Sequence, residues 1–141
     1  MGVDHLVSEI PERIPYLQAM AVLQTCGIVL VMGSTDAYYH ASKLYPAIVS
    51  GRPILAVCHR DSSIKRVIEQ TGAGMCVAFS DPVELQSRVG EIASAIESLA
   101  GRPRRKPDAA AIEPFTARAS TASLARVLDQ MTGRPALAEA I

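Results

Sequence analysis

The chain has 141 residues, enough for about one domain, and at 49% hydrophobic against 20% charged it is too apolar for global disorder. Fourteen basic residues balance fourteen acidic ones, so the general electrostatic pull toward nucleic acid or an anionic membrane is excluded and neither is an expected partner. Aromatics are 4% with no Trp, and the core must therefore be aliphatic.

In chain order, His5-Leu6-Val7-Ser8-Glu9-Ile10 is a weak strand candidate. Tyr16 to Gln24 reads as a helix opened by Pro15, a favoured first-turn residue. Ile28-Val29-Leu30-Val31-Met32 is a compact apolar run closed by Gly33-Ser34. The polar stretch Gly33 to Ala41 follows, long for a connection that usually needs about 2 to 6 residues. Ser42 can cap the next helix and leave the amides of Lys43, Leu44 and Tyr45 free; Pro46 either starts that helix itself or distorts its first turn. Gly51-Arg52-Pro53 stops it.

Pro53-Ile54-Leu55-Ala56-Val57-Cys58 is a second apolar run, closed by His59-Arg60-Asp61. Ser62 to Thr71 carries Ile64, Val67 and Ile68 at helical spacing, with Gly72 where a C-terminal cap belongs. Gly74 to Phe79 is the third run. Asp81 to Ala100 reads as one helix: Asp81 caps, Pro82 takes the first position, Glu84 completes a capping-box-like pair, and Leu85, Val89, Ile92, Ile96 and Leu99 form a stripe. Residues 101–113 are a linker rich in Pro and Arg, whose basic cluster reads as a solvated surface. A last helix is expected from Thr116 to Met131, with Leu124, Val127, Leu128 and Met131 on one face, and then a tail over 133–141.

None of the three apolar runs alternates polar with apolar, as expected of strands covered on both faces. Alternating strands and helices predict an α/β fold with helices on both faces of a mostly parallel sheet of about four strands. Ligands in such folds bind at the C-terminal edge of the strands. Here that edge consists of the loops Gly33 to Ala41, His59 to Ser62 and Ser80-Asp81. A helix N-terminus beside Lys43 suits a phosphate. His40 and His59 fall on the same edge, each able to act as a base, a sugar ligand or a bystander. Asp36 is the only carboxylate of the first loop. No H-E-x-x-H, G-x-S-x-G, Walker or G-x-G-x-x-G signature occurs. Three cysteines without a CxxC suggest reduced, buried thiols, no metal site and no cofactor. With no signal-like start and no apolar run long enough to span a bilayer, a cytoplasmic protein is expected.

Taken in order, Arg13-Ile14-Pro15-Tyr16-Leu17-Gln18-Ala19-Met20, Cys26 to Ser34, Ser42-Lys43-Leu44-Tyr45 and Ser50 to Ala56 resemble the C-terminal half of GT-B glycosyltransferases. The nearest type is the family-four-like group with its S-K-L-[YF]-E-x-x-x-x-G-[KR]-P segment. Gly72-Ala73-Gly74, Asp81-Pro82 and Phe115 to Arg118 fall where that family has further signals.

The resemblance implies a Rossmann-like nucleotide-sugar-binding core over residues 1–100, the linker over 101–113, a C-terminal helix over 114–132 and the tail. It implies the donor side of an enzyme that moves a sugar from a UDP- or GDP-sugar to an acceptor. Gly33, Ser34, Thr35, Asp36, Ser42, Lys43 and Leu44 would then face the donor and its phosphates, with His40 and His59 as sugar or acceptor contacts. The family's ribose-binding Glu would fall at Pro46, and its earlier acidic position at Tyr38. The acceptor-binding N-terminal domain has no counterpart, so the chain is expected to be a fragment, inactive alone and oligomeric through an unpaired sheet edge. The alternatives are a non-catalytic α/β nucleotide-binding or protein-interaction module and, more weakly, half of a nucleotide-sugar epimerase.

Overall fold

A computed structural model describes residues 2–133. Three parallel strands, β1 (Val29–Met32), β2 (Ile54–His59) and β3 (Gly74–Phe79), lie in the order β1-β2-β3. Val31 pairs with Ala56 across the first junction, and Ala56 with Cys76 across the second. Because β2 is central, Ile54 through Cys58 are all buried, whereas the edge strands are only partly covered.

The helices are α1 (Tyr16–Thr25), α2 (Leu44–Ser50), α3 (Ser63–Thr71), α4 (Pro82–Ser87), α5 (Val89–Leu99), α6 (Ala109–Ile112) and α7 (Ala117–Thr132). Side chains of a strand alternate between faces, and the core divides accordingly. On one face Val31, Ile54, Ala56 and Cys58 meet Leu44, Ala47 and Ile48 of α2 and Ile64, Val67 and Ile68 of α3. On the other, Leu55, Val57, Val77 and Phe79 meet Ala95 and Leu99 of α5, with Leu85 of α4 at the margin. This is the expected α/β/α three-layer arrangement, with the core aliphatic apart from Phe79.

Five local expectations differ. The sheet has three strands among the described residues, not about four: the candidate at His5–Ile10 instead forms a single 3₁₀ turn, Asp4–Leu6, with extended chain after it and no strand partner. The helix expected from Asp81 to Ala100 is broken at Arg88, whose φ and ψ are −87° and 0°. Asp81 does cap, accepting from the amides of Val83 and Glu84, but Glu84 reaches back to the Ser80 amide, one residue beyond the capping-box position. Ser42 does not cap α2: the Lys43 residue at its start is already in the right-handed helical region, and no side chain caps it. Pro46 is the third residue of α2, where an amide has no partner inside the helix, so it neither starts nor distorts it.

The segment 101–113 is held against the sheet's far end. The Arg105 amide donates to the Gly51 carbonyl at 2.9 Å, and Arg104 Nε to the Ser50 carbonyl at 2.6 Å. Among the described residues, apolar side chains of β1 and α7 stay uncovered. Leu30 and Met32 of β1 are 54% and 56% exposed on the side that α5 does not reach, and Leu124, Val127, Leu128 and Met131 of α7 are all exposed. The expected C-terminal tail, 133–141, lies outside the described residues beyond Gly133.

Candidate functional site

The parallel strands deliver three loops to one edge, and hydrogen bonds join them in series. The first, Gly33 to Lys43, leaves β1 with the Gly33 amide donating to the Val57 carbonyl at 2.7 Å. A Cβ at Gly33 would stand 2.6 Å from Cys58 Cβ and 2.9 Å from Cys58 Cα, so only glycine lets the chain leave β1 this close to β2. The loop then folds on its own polar side chains. Ser34 Oγ accepts the Asp36 amide at 3.1 Å, and Asp36 Oδ1 accepts the Tyr38 amide at 2.8 Å. Asp36 Oδ2 has no protein partner among the described residues, and Thr35 is exposed.

His40 ties this loop to the second. Its Nδ1 lies 2.7 Å from Ser63 Oγ, at the first residue of α3. Beside it, Ser62 Oγ donates to the Tyr39 carbonyl at 3.4 Å and accepts the Ile64 amide at 3.2 Å as the cap of α3. The second loop joins the third through Arg60. Its amide donates to the Phe79 carbonyl at 2.8 Å, and its guanidinium bonds both oxygens of Glu84 at 3.0 and 2.8 Å. Arg88 Nη2 adds a bond to Glu84 at 2.7 Å and the Ser80 amide another at 2.8 Å. Arg88, the Ser80 amide and Arg60 together pull the Glu84 carboxyl down to about 2.

The sequence candidates therefore divide. Gly33, Ser34, Asp36 and His40 are gathered by the first loop and its junction with α3. Ser42 and Lys43 are exposed where that loop ends, free to face a ligand, while Leu44 is buried and its amide is bonded to the Ala41 carbonyl at 2.9 Å. The helix-terminus contribution to phosphate binding is thus smaller than its sequence suggests, because one of the amides counted on is already paired. Exposed Lys43 still offers its charge.

His59 has other partners than His40. Its Nδ1 accepts the Asp61 amide at 3.2 Å, and its ring packs edge-on against Phe79 with centroids 6.4 Å apart. An apolar groove of about 650 Å³ opens beside Tyr39, Ser42 and Lys43, walled by Leu30 and Met32 of β1 and Met20 of α1. A second groove of about 600 Å³, lined by Arg102, Arg105 and Lys106, lies at the opposite end of the strands. The first is the one that borders the sequence candidates.

Ser63 is a site-edge residue that sequence reasoning missed, and the pairing of Arg60, in the second edge loop, with Glu84, read as a cap partner, was not foreseen. Besides its place three residues after Asp81, Glu84 was signalled by the 84-to-88 spacing, a helical Glu–Arg pair. Among the described residues no group of three His, Cys, Asp or Glu side chains is placed to hold a metal ion, and no helix is long and apolar enough to cross a membrane.

The chain is similar to a probable glycosyltransferase of Pseudomonas aeruginosa, WbjE, with 33% identity over 95 residues. That match covers 65% of this chain and 24% of the relative, so the chain spans about a quarter of the curated protein it matches. No family model matches, and no solved structure matches.

Proposed function

We propose that this chain is the nucleotide-sugar-binding, donor-side part of a GT-B-type glycosyltransferase, with the donor lying along the first loop. The observation that carries the reading is the joined C-terminal edge. A glycine-closed turn, hydroxyls at Ser34, Thr35 and Ser42, a free Asp36 oxygen and the Lys43 ammonium sit on one loop that His40 anchors to α3. The likeness to a probable glycosyltransferase supports a sugar-transfer setting. In this reading Lys43 faces a diphosphate oxygen, Asp36 Oδ2 takes a ribose hydroxyl in place of the acid absent at Pro46, and His40 borders the sugar.

The acceptor side lies outside this chain, and the chain alone does not turn over. Titrating the folded protein with UDP, GDP and their sugars, while following the melting temperature, tests it. A ligand at one hundred times its Kd stabilises by about 2.7 kcal/mol, and Lys43→Ala should lower that response. No shift with any nucleotide at millimolar concentration refutes the reading. It would favour a non-catalytic α/β module, a role suggested by Asp36 already holding its own turn with Oδ1.

A further inference from the structure

Behind the first loop lies a pair of sulfurs that the proposed donor site does not use. Cys58 of β2 and Cys76 of β3 point to the same face of the sheet, two residues out of register, with Sγ atoms 3.4 Å apart. Cys58 is fully buried; Cys76, on the edge strand, is partly buried against the same core cluster. We propose that these two thiols are a redox pair, converted by a hydroperoxide-class oxidant into a reversible disulfide whose formation is felt at the Gly33–Ser34 turn.

The electrons balance within the pair and the oxidant. The Cys76 thiolate attacks one peroxide oxygen, giving a sulfenic acid and hydroxide, which leaves as water. The Cys58 sulfur then attacks the Cys76 sulfur and expels the sulfenyl oxygen as a second water. Two thiols are oxidised, one peroxide is reduced, and both thiol protons end in water.

The surroundings keep the proton of the pair on Cys76 and the charge on Cys58. Hydrogen bonding from the Cys76 thiol lowers Cys58 below the usual thiol value, with the Lys65 amide and ammonium aiding against burial, and the same contact raises Cys76. Cys76 therefore attacks only in the minor form in which its proton has passed to the Cys58 sulfur.

Bonding requires the sulfurs to close from 3.4 Å to about 2.0 Å. Cys58 has little freedom to follow, because its Cβ fills the space beside Gly33, whose amide holds the neighbouring Val57 carbonyl. Movement of Cys58 is therefore transmitted to the first residue of the loop. A bond made at such a cost in geometry is also readily reduced.

The test uses the full chain carrying Cys26→Ser, which removes the third thiol at the opposite end of β1. Treated with hydrogen peroxide while folded, it should lose both thiols together and two hydrogens in mass. Digestion should yield one linked peptide pair containing residues 58 and 76, and dithiothreitol should restore both thiols. Adding Cys58→Ser should leave a Cys76 sulfenic acid that dimedone traps. Amide exchange at Gly33 should quicken on oxidation.

Thiols that stay unreacted in the folded protein, separate sulfinic acids, or dimers linked between chains would overturn the pair. Unchanged exchange at Gly33 in the disulfide form would overturn the coupling. Neither result depends on nucleotide binding, so failure here is distinguishable from failure of the donor-side reading.

Discussion

Replacing Gly33 by alanine adds one methyl group where the first loop leaves the sheet. Gly33 is not at positive φ, so the cost comes from space and not from backbone conformation. The new Cβ would meet Cys58 Cβ at 2.6 Å, Cys58 Cα at 2.9 Å and the Val57 carbonyl oxygen at 3.2 Å. Carbon atoms pack best at about 3.5 to 4.0 Å, so one strand must give way by roughly 1 Å. β2 is buried on both faces and paired on both edges, so the loop moves and strains the 2.7 Å bond from the Gly33 amide to Val57. Overpacking of this kind costs about 1–3 kcal/mol. With a urea dependence of about 1–3 kcal/mol per molar, the unfolding midpoint should fall by roughly 1 M. Equilibrium urea unfolding of Gly33→Ala beside the parent protein measures it. A loss under about 0.5 kcal/mol, the usual range of neutral surface changes, would show that the loop relaxes freely and that glycine is not required there.

Gly90→Ala should do the opposite, because Gly90 lies inside α5 with nothing within 4 Å of its missing Cβ; a gain of about 0.5–1 kcal/mol in the same assay is expected. Leu99→Ala removes a side chain buried between α5 and the sheet and should cost about 2–5 kcal/mol by urea unfolding. Glu84 titrates near 2 when folded against an ordinary 4.5, so its contribution is complete above 4.5 and fades as pH falls from 4.5 toward 2. Urea midpoints between pH 5 and 2 should therefore fall less steeply for Glu84→Gln than for the parent.

The strands were legible because each is an uninterrupted apolar run bounded by Gly, Pro or polar residues. Their order was not: Val29–Met32 reads as apolar as Ile54–Cys58, yet Leu30 and Met32 are half exposed while Ile54 through Cys58 are all buried. Hydrophobicity reports the tendency to be covered and is silent on which neighbour does the covering. The stripe of α7 shows the same limit, since Leu124, Val127, Leu128 and Met131 share helical spacing without being packed. The break at Arg88 was hidden by an unbroken apolar stripe; there the guanidinium reaches both Glu84 and Glu91. In the candidate site, the long loop after Gly33 was readable from length and polarity. Its anchor was not, because Ser63 lies 23 residues from His40 and nothing in local spacing couples them.

The strand order that follows chain order bears on how the site comes into being. Each strand joins the free edge left by its predecessor, so every pairing links strands that are consecutive in the chain. During synthesis, β1, α2, β2 and the start of α3 are enough to bring His40 to Ser63. Arg60 must wait for Phe79 and Glu84 to emerge before its own contacts can form. The first two loops of the edge can thus assemble before the third exists. Slow steps at β3 would delay the Arg60–Glu84 clamp while leaving the His40–Ser63 junction already made.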